Sequence, residues 1–338
     1  MKSASLLYNN INMNLCGDME EIARSTLIAR GIDKDKVAIL SNPLKTLIEH
    51  DIFSIPTQKR KSVYSKEFQC PAGYEKALSD LNRKIEMGED INPFLSTRRE
   101  YADAKDALLF DWGIHHLHLT RRYNSKGRPM RSDYLLFVYC TDSTMYFIQA
   151  YRHDSNPFVR DDLLKIIACN WPNILRRFRI DDGYLIKKID NKDRTSLRKS
   201  HVLSLTEIDG KIYFPPGGGY ASDGSAVWAV QKADNYWNQV KLMELWLIKN
   251  QSFIRSELMR FIPKKRFVEA LHFKLYHFSF EKISIFELEN HILIEYNLSR
   301  QICKLFFLDT VSNIFIDNNY YTGTFCPSIC TSYSFWNP

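Results

Sequence analysis

Two apolar, strand-like runs, Asp133 to Cys140 and Thr144 to Tyr151, are separated only by Thr141-Asp142-Ser143. Three residues are too few for a crossover, so the runs must pair as an antiparallel hairpin. A third alternating run, Gly113 to Leu119, precedes them and predicts a small antiparallel sheet in the middle of the chain. After it, Asp161 to Phe178 places Leu163, Leu164, Ile167, Ile174 and Leu175 on one helical face, and Pro172 predicts two helical pieces or a kink.

At 338 residues the chain exceeds the usual size of one domain. The reading is α+β in three segments: a helical N-terminal region over 1–100, a central small antiparallel sheet with flanking helices over 101–180, and a C-terminal antiparallel β-rich domain over 181–338. Helix-like spacing marks Glu20 to Arg30, Leu44 to His50 and Tyr74 to Met87 in the first segment. Lys59-Arg60-Lys61 reads as a solvated loop, and the charged stretch Asp181 to Lys199 as a surface hairpin or linker. Gly217-Gly218-Gly219 lacks a P-loop or dinucleotide ending and predicts a tight turn before a long helix from Val227 to Lys249, capped by Ser222, Asp223 or Ser225. Alternating runs between Ala270 and Leu308 predict the C-terminal sheet.

A make-up of 45% apolar and 25% charged residues excludes a disordered chain. The net charge of +7 permits a polyanionic partner without requiring one. Without an uninterrupted run of about 18 apolar residues, no membrane partner is expected, and a cytoplasmic location is. Seven scattered cysteines read as reduced thiols; Cys326 and Cys330, the one close pair, have no second ligand pair nearby.

The richest chemistry lies between Gly113 and Arg131, where three histidines, four arginines and a lysine occur without one acidic residue. On a strand His116 and His118 share one face, about 7 Å apart, while His115, Leu117 and Leu119 share the other. His153, at the end of the third strand, offers a further imidazole. Cutting RNA without a metal needs a base for the 2′-hydroxyl proton, an acid for the leaving 5′-oxygen, and cations for the phosphate. Imidazoles near neutral pH divide the first two roles, and arginine forks fill the third. Each residue also has a plainer explanation, since strand histidines are commonly structural and basic loops are commonly solvated. A His-x-His strand with a third histidine would alternatively suit zinc, against which the arginines count.

The order of elements, with a helical approach, a short meander ending in His153, arginines after the first strand and the pair Arg131 and Tyr134, resembles the barnase, EndoU and RelE-like superfamily of metal-independent ribonucleases. The likeness spans Leu108 to Phe178, about a fifth of the chain. It implies that His116, His118 or His153 serves as acid or base, that Arg121, Arg122, Arg128 and Arg131 clamp the phosphate, and that Tyr134 orients a base or shares in proton transfer. It further implies RNA such as tRNA or mRNA as partner, an inhibitor or antitoxin protein, no cofactor, no metal, and a role as a toxin or phage-defence effector. The flanking segments and a missing barnase-type glutamate depart from that pattern. His118-Leu119-Thr120 also looks like the His-x-Thr/Ser element of two-histidine phosphoesterases acting on cyclic phosphates, with His277-Phe278-Ser279 as partner. A non-catalytic module that binds nucleic acid or protein is the alternative from another class.

Overall fold

The computed structural model describes residues 10–125, 129–155, 157–279, 281–297, 302–308, 315–316 and 320–321, and the fold is α+β. Among the described residues the first elements are β1 (Ile11–Met13), α1 (Leu15–Ala29), α2 (Lys34–Ala38), α3 (Pro43–Phe53), β2 (Lys61–Tyr64) and α4 (Glu75–Met87). It continues through α5 (Ala107–Trp112), β3 (Ile114–His118), β4 (Tyr134–Cys140), β5 (Thr144–Arg152), α6 (Asp162–Asn170), α7 (Pro172–Leu175) and β6 (Arg179–Ile180). Then follow α8 (Asn191–Lys199), β7 (Thr206–Ile208), β8 (Lys211–Tyr213), α9 (Val227–Lys249) and α10 (Gln251–Phe261). The last elements are β9 (Leu271–Phe278), β10 (Lys282–Glu287), β11 (Ile292–Asn297), β12 (Ile302–Leu308), β13 (Phe315–Ile316) and β14 (Tyr320–Tyr321).

In place of three consecutive segments, the chain divides into two compact units interleaved in sequence. One comprises Met1–Arg30, Leu40–Leu44 and Lys232–Pro338; the other comprises Gly31–Ile39 and Lys45–Gln231. Boundaries near residues 100 and 180 do not separate them.

The first unit holds the expected C-terminal sheet, in the order β1-β9-β10-β11-β12-β13 with β14 also on β12. Its strands pair antiparallel except for β1, which lies parallel to β9 with Ile11 opposite Leu271. Period-two patterning produces the buried face: Leu271, Phe273 and Leu275 point inward while Lys274 and Tyr276 are exposed. α1 buries Leu15, Met19, Ala23 and Leu27 at four-residue intervals. Cys326 and Cys330 lie outside the described residues.

The second unit contains the candidate chemistry. Its main sheet has the order β2-β5-β4-β3, with the expected β4–β5 hairpin and β3 antiparallel at one edge. Apolar side chains fill both faces. Trp112, Ile114, Phe137 and Ile148 pack with Leu163, Leu164 and Ile167 of α6, whereas Leu117, Leu136, Val138 and Phe147 pack with Leu81 and Ile85 of α4. A one-residue slip of β3 would exchange its two sets of side chains, so these cores fix its register. Pro172 divides the helical segment as expected: α6 ends at Asn170 and α7 starts at Pro172.

Two local readings are corrected and a third gains its reason. Lys59-Arg60-Lys61 is not simply a solvated loop: Arg60 is buried, its Nε donating to the Thr141 carbonyl at 2.8 Å and its Nη1 to the Pro56 carbonyl at 2.7 Å, and Lys61 opens β2, parallel to β5. The stretch from Asp181 to Lys199 ends in α8, which buries Arg194 and Arg198. Guanidinium groups with carboxylate, hydroxyl or aromatic partners enter a core that unpartnered charges cannot. The glycine triplet is a turn, as expected, but its reason is tertiary. The Gly217 amide donates to the Asp111 carbonyl at 2.9 Å, and a Cβ there would collide with the carbonyl oxygens of Leu109 and Phe110.

Candidate active site

Asp106 precedes α5 and accepts the amides of Leu108 (3.1 Å) and Leu109 (3.0 Å) on Oδ1, capping the helix. Its other oxygen, Oδ2, lies 3.4 Å from Nδ1 of His116. The local chain path explains this approach, because α5 has only six residues and Gly113, at φ 70°, ends it in the left-handed conformation that leads directly into β3.

On β3, His116 stands opposite Phe137 and His118 opposite Leu135, so the two imidazoles share the Phe137 face and Leu117 joins the opposite core. β3 is also the edge strand of the sheet, so one of its long sides pairs with no further strand among the described residues. A cavity of about 460 Å³ lies there, within the range of small-molecule sites. His115, His116, His118 and His153 all line it. His153 arrives from the far end of β5, where its amide donates to the Asp133 carbonyl at 2.7 Å. Phe158, in the turn Pro157–Val159, meets both outer imidazoles edge-on, 5.2 Å from His116 and 5.8 Å from His153 between ring centroids.

The cavity is cationic. Arg98, Arg99, Lys105 and Arg131 line it, against Asp106 as the one acidic lining residue among those described. Lys105 is engaged by the Glu49 carboxylate at 3.0 Å. Arg131 is exposed, and Arg98, on the 3-10 turn Thr97–Glu100, is exposed as well, leaving both able to meet an anion. His118 is only 8% exposed, and its Nδ1 has no hydrogen-bond partner. Burial pushes its pKa down to about 4, with smaller contributions from His116, Arg131 and His153. His115 is likewise pushed down to about 4, first by burial, while Asp106 opposes the shift. A neutral, deeply placed imidazole beside one paired with a carboxylate is an arrangement suited to proton transfer.

Of the residues singled out in the sequence, His116, His118, His153 and Arg131 converge on this cavity. Tyr134, Arg121 and Arg122 are not among its lining residues. The Arg121 guanidinium, expected on phosphate, lies 4.5 Å over the Tyr74 ring, which in turn meets Tyr134, expected to orient a base or share in proton transfer, at 5.2 Å between ring centroids. Arg122 is exposed, and its carbonyl receives the Met130 amide at 2.9 Å. Arg128 and Lys126 lie outside the described residues. His277 sits on β9 in the first unit and does not line the cavity. No three histidine, cysteine or carboxylate side chains among the described residues are grouped to hold a metal ion. Asp106, His115 and Arg98 are additions. The first carries a readable signal, an aspartate two residues before the apolar start of a short helix, whereas the 3-10 turn bearing Arg98 reaches the cavity only through tertiary folding.

No family model, no curated protein and no solved structure matches this chain.

Proposed function

We propose that the cavity beside β3 is the active site of a metal-independent endoribonuclease. The observation that carries this reading is the convergence of His116, His118, His153, Arg98 and Arg131 on a single concave space. In this reaction His118, neutral at pH 7, takes the 2′-hydroxyl proton, and the freed oxygen attacks the adjacent phosphorus. The bond to the 5′-oxygen breaks, and His116 delivers a proton to that leaving oxygen. The products are a 2′,3′-cyclic phosphate and a free 5′-hydroxyl. Arg131 and Arg98 offset the charge gained by the phosphoryl oxygens. A bound phosphodiester, being anionic, raises the basicity of His118 from its low value in the empty cavity. The Asp106 carboxylate, its geometry fixed by the helix cap, faces Nδ1 of His116 and orients that imidazole.

Purified protein incubated with RNA in EDTA should yield cyclic-phosphate ends, and an oligonucleotide with 2′-deoxyribose at the scission point should survive. Cleavage of that deoxy substrate would falsify the mechanism. Salt-sensitive binding without any product would favour a nucleic-acid-binding module in its place.

A further inference from the structure

Outside the cavity lining, a second charged cluster takes no part in the proposed chemistry. Asp111 and Arg198 are almost fully buried, with side chains 1% and 5% exposed. Nε of Arg198 donates to Oδ2 of Asp111 at 2.9 Å, and Nη2 lies 2.8 Å from the same oxygen. The guanidinium carbon stands 4.5 Å above the Trp112 ring, with Arg194 also over that ring at 4.8 Å. The remaining arm of Arg198, Nη1, donates to the main-chain carbonyl of Phe158.

A buried ion pair is a poor source of stability, because well-packed apolar residues of similar size do as well without desolvating two charges. An apolar residue could not, however, grip a carboxylate on one side and a carbonyl on the other. Here the carbonyl belongs to Phe158, whose ring touches His116 and His153. The carboxylate belongs to α5, whose N-terminal cap, Asp106, stands beside His116. One guanidinium thus ties the turn bearing Phe158 to the helix that anchors His116.

We infer that Arg198, braced by Asp111, is a positioning residue that fixes Phe158 and through it keeps His116 and His153 directed into one cavity. Its effect on turnover rests on the ribonuclease reading; its effect on the imidazoles rests on geometry alone.

Three variants test it: Arg198→Met, which removes both grips; Arg198→Lys, whose single ammonium keeps the Asp111 pair but cannot fork to the carbonyl; and Phe158→Ala, which leaves the ion pair untouched. The other titratable and charged groups that line the cavity with His116 and His153 are Arg98, Arg99, Lys105, Asp106, His115, His118 and Arg131, and all remain in each variant. The ring resonances of both histidines, followed by NMR across a pH titration in the whole chain, should move their midpoints in Arg198→Met and Phe158→Ala, with Arg198→Lys in between. On RNA, kcat should fall by about ten- to a hundredfold at unchanged KM, as expected of a small misplacement of reacting groups. Parent-like titration in Phe158→Ala, or in a folded Arg198→Met, overturns the inference. Should Arg198→Met fail to fold, the other two variants decide. If the parent protein cuts no RNA, the ribonuclease reading falls while the titration still judges the positioning role.

Discussion

β3 and β9 are both strands that carry imidazoles on a partly buried sheet, yet their surroundings give these groups different capacities. On β9, His272 is half-buried with Nδ1 4.0 Å from the Glu289 carboxylate, and His277 is exposed. On β3, a helix cap supplies a carboxylate, an edge position leaves one side of the strand unpaired beside the cavity, and two turns bring Arg98 and Phe158 alongside. The difference teaches that residue type alone did not create the candidate site; the elements packed around the strand did.

The sharpest way to break this contrast is to remove one imidazole from each strand. His118→Ala should lower kcat on RNA by about a thousandfold, in the range for loss of a general base, whereas His277→Ala should leave turnover at the parent rate. Equal losses in single-turnover assays would dissolve the distinction.

Protonation offers a second test, smaller in energy. Neutral His115 and His118 are favoured in the fold, with values near 4 against an ordinary 6.5. Between those values the unfolded chain binds more protons, so stability is fully present above about pH 6.5 and declines as pH falls toward 4. At pH 5 the expected loss is roughly 2 kcal/mol for each of these histidines. Urea unfolding at pH 7.5 and pH 5 should show it, and His118→Gln should remove part of the dependence. A pH-independent midpoint would count against their neutral burial.

The smallest effects concern the partners. Arg131→Ala should raise KM and lower kcat/KM by about tenfold, as loss of one charge-assisted phosphate contact warrants. Asp106→Asn should keep the helix cap and cost a similar factor in kcat, because it removes the charge facing His116. Steady-state kinetics on a short RNA separates the two, since only the first should weaken substrate binding.

Much of the scaffold was legible because local rules dictated it. Thr141-Asp-Ser forced a hairpin, Pro172 broke a helix, and alternation placed His116 and His118 on one face. Arg121 and Tyr134 pack against Tyr74, which lies on a distant segment, and strand periodicity does not encode that contact. The buried arginines of α8 escaped notice for a related reason: a charge-rich segment reads as solvated until Asp111 and Trp112 appear beside it. Arg98 joins the cavity from a 3-10 turn about twenty residues upstream of His118, and no spacing rule connects them.

The parallel pairing of β1 with β9 has a consequence for biosynthesis. During translation β1 leaves the ribosome about 260 residues before its partner strand exists. At about 5–20 residues per second that interval is roughly 10 to 50 s. The complete Lys45–Gln231 segment, histidine cavity included, emerges within it. The nascent chain can therefore close its candidate catalytic chamber while the sheet begun by its opening strand still waits for material.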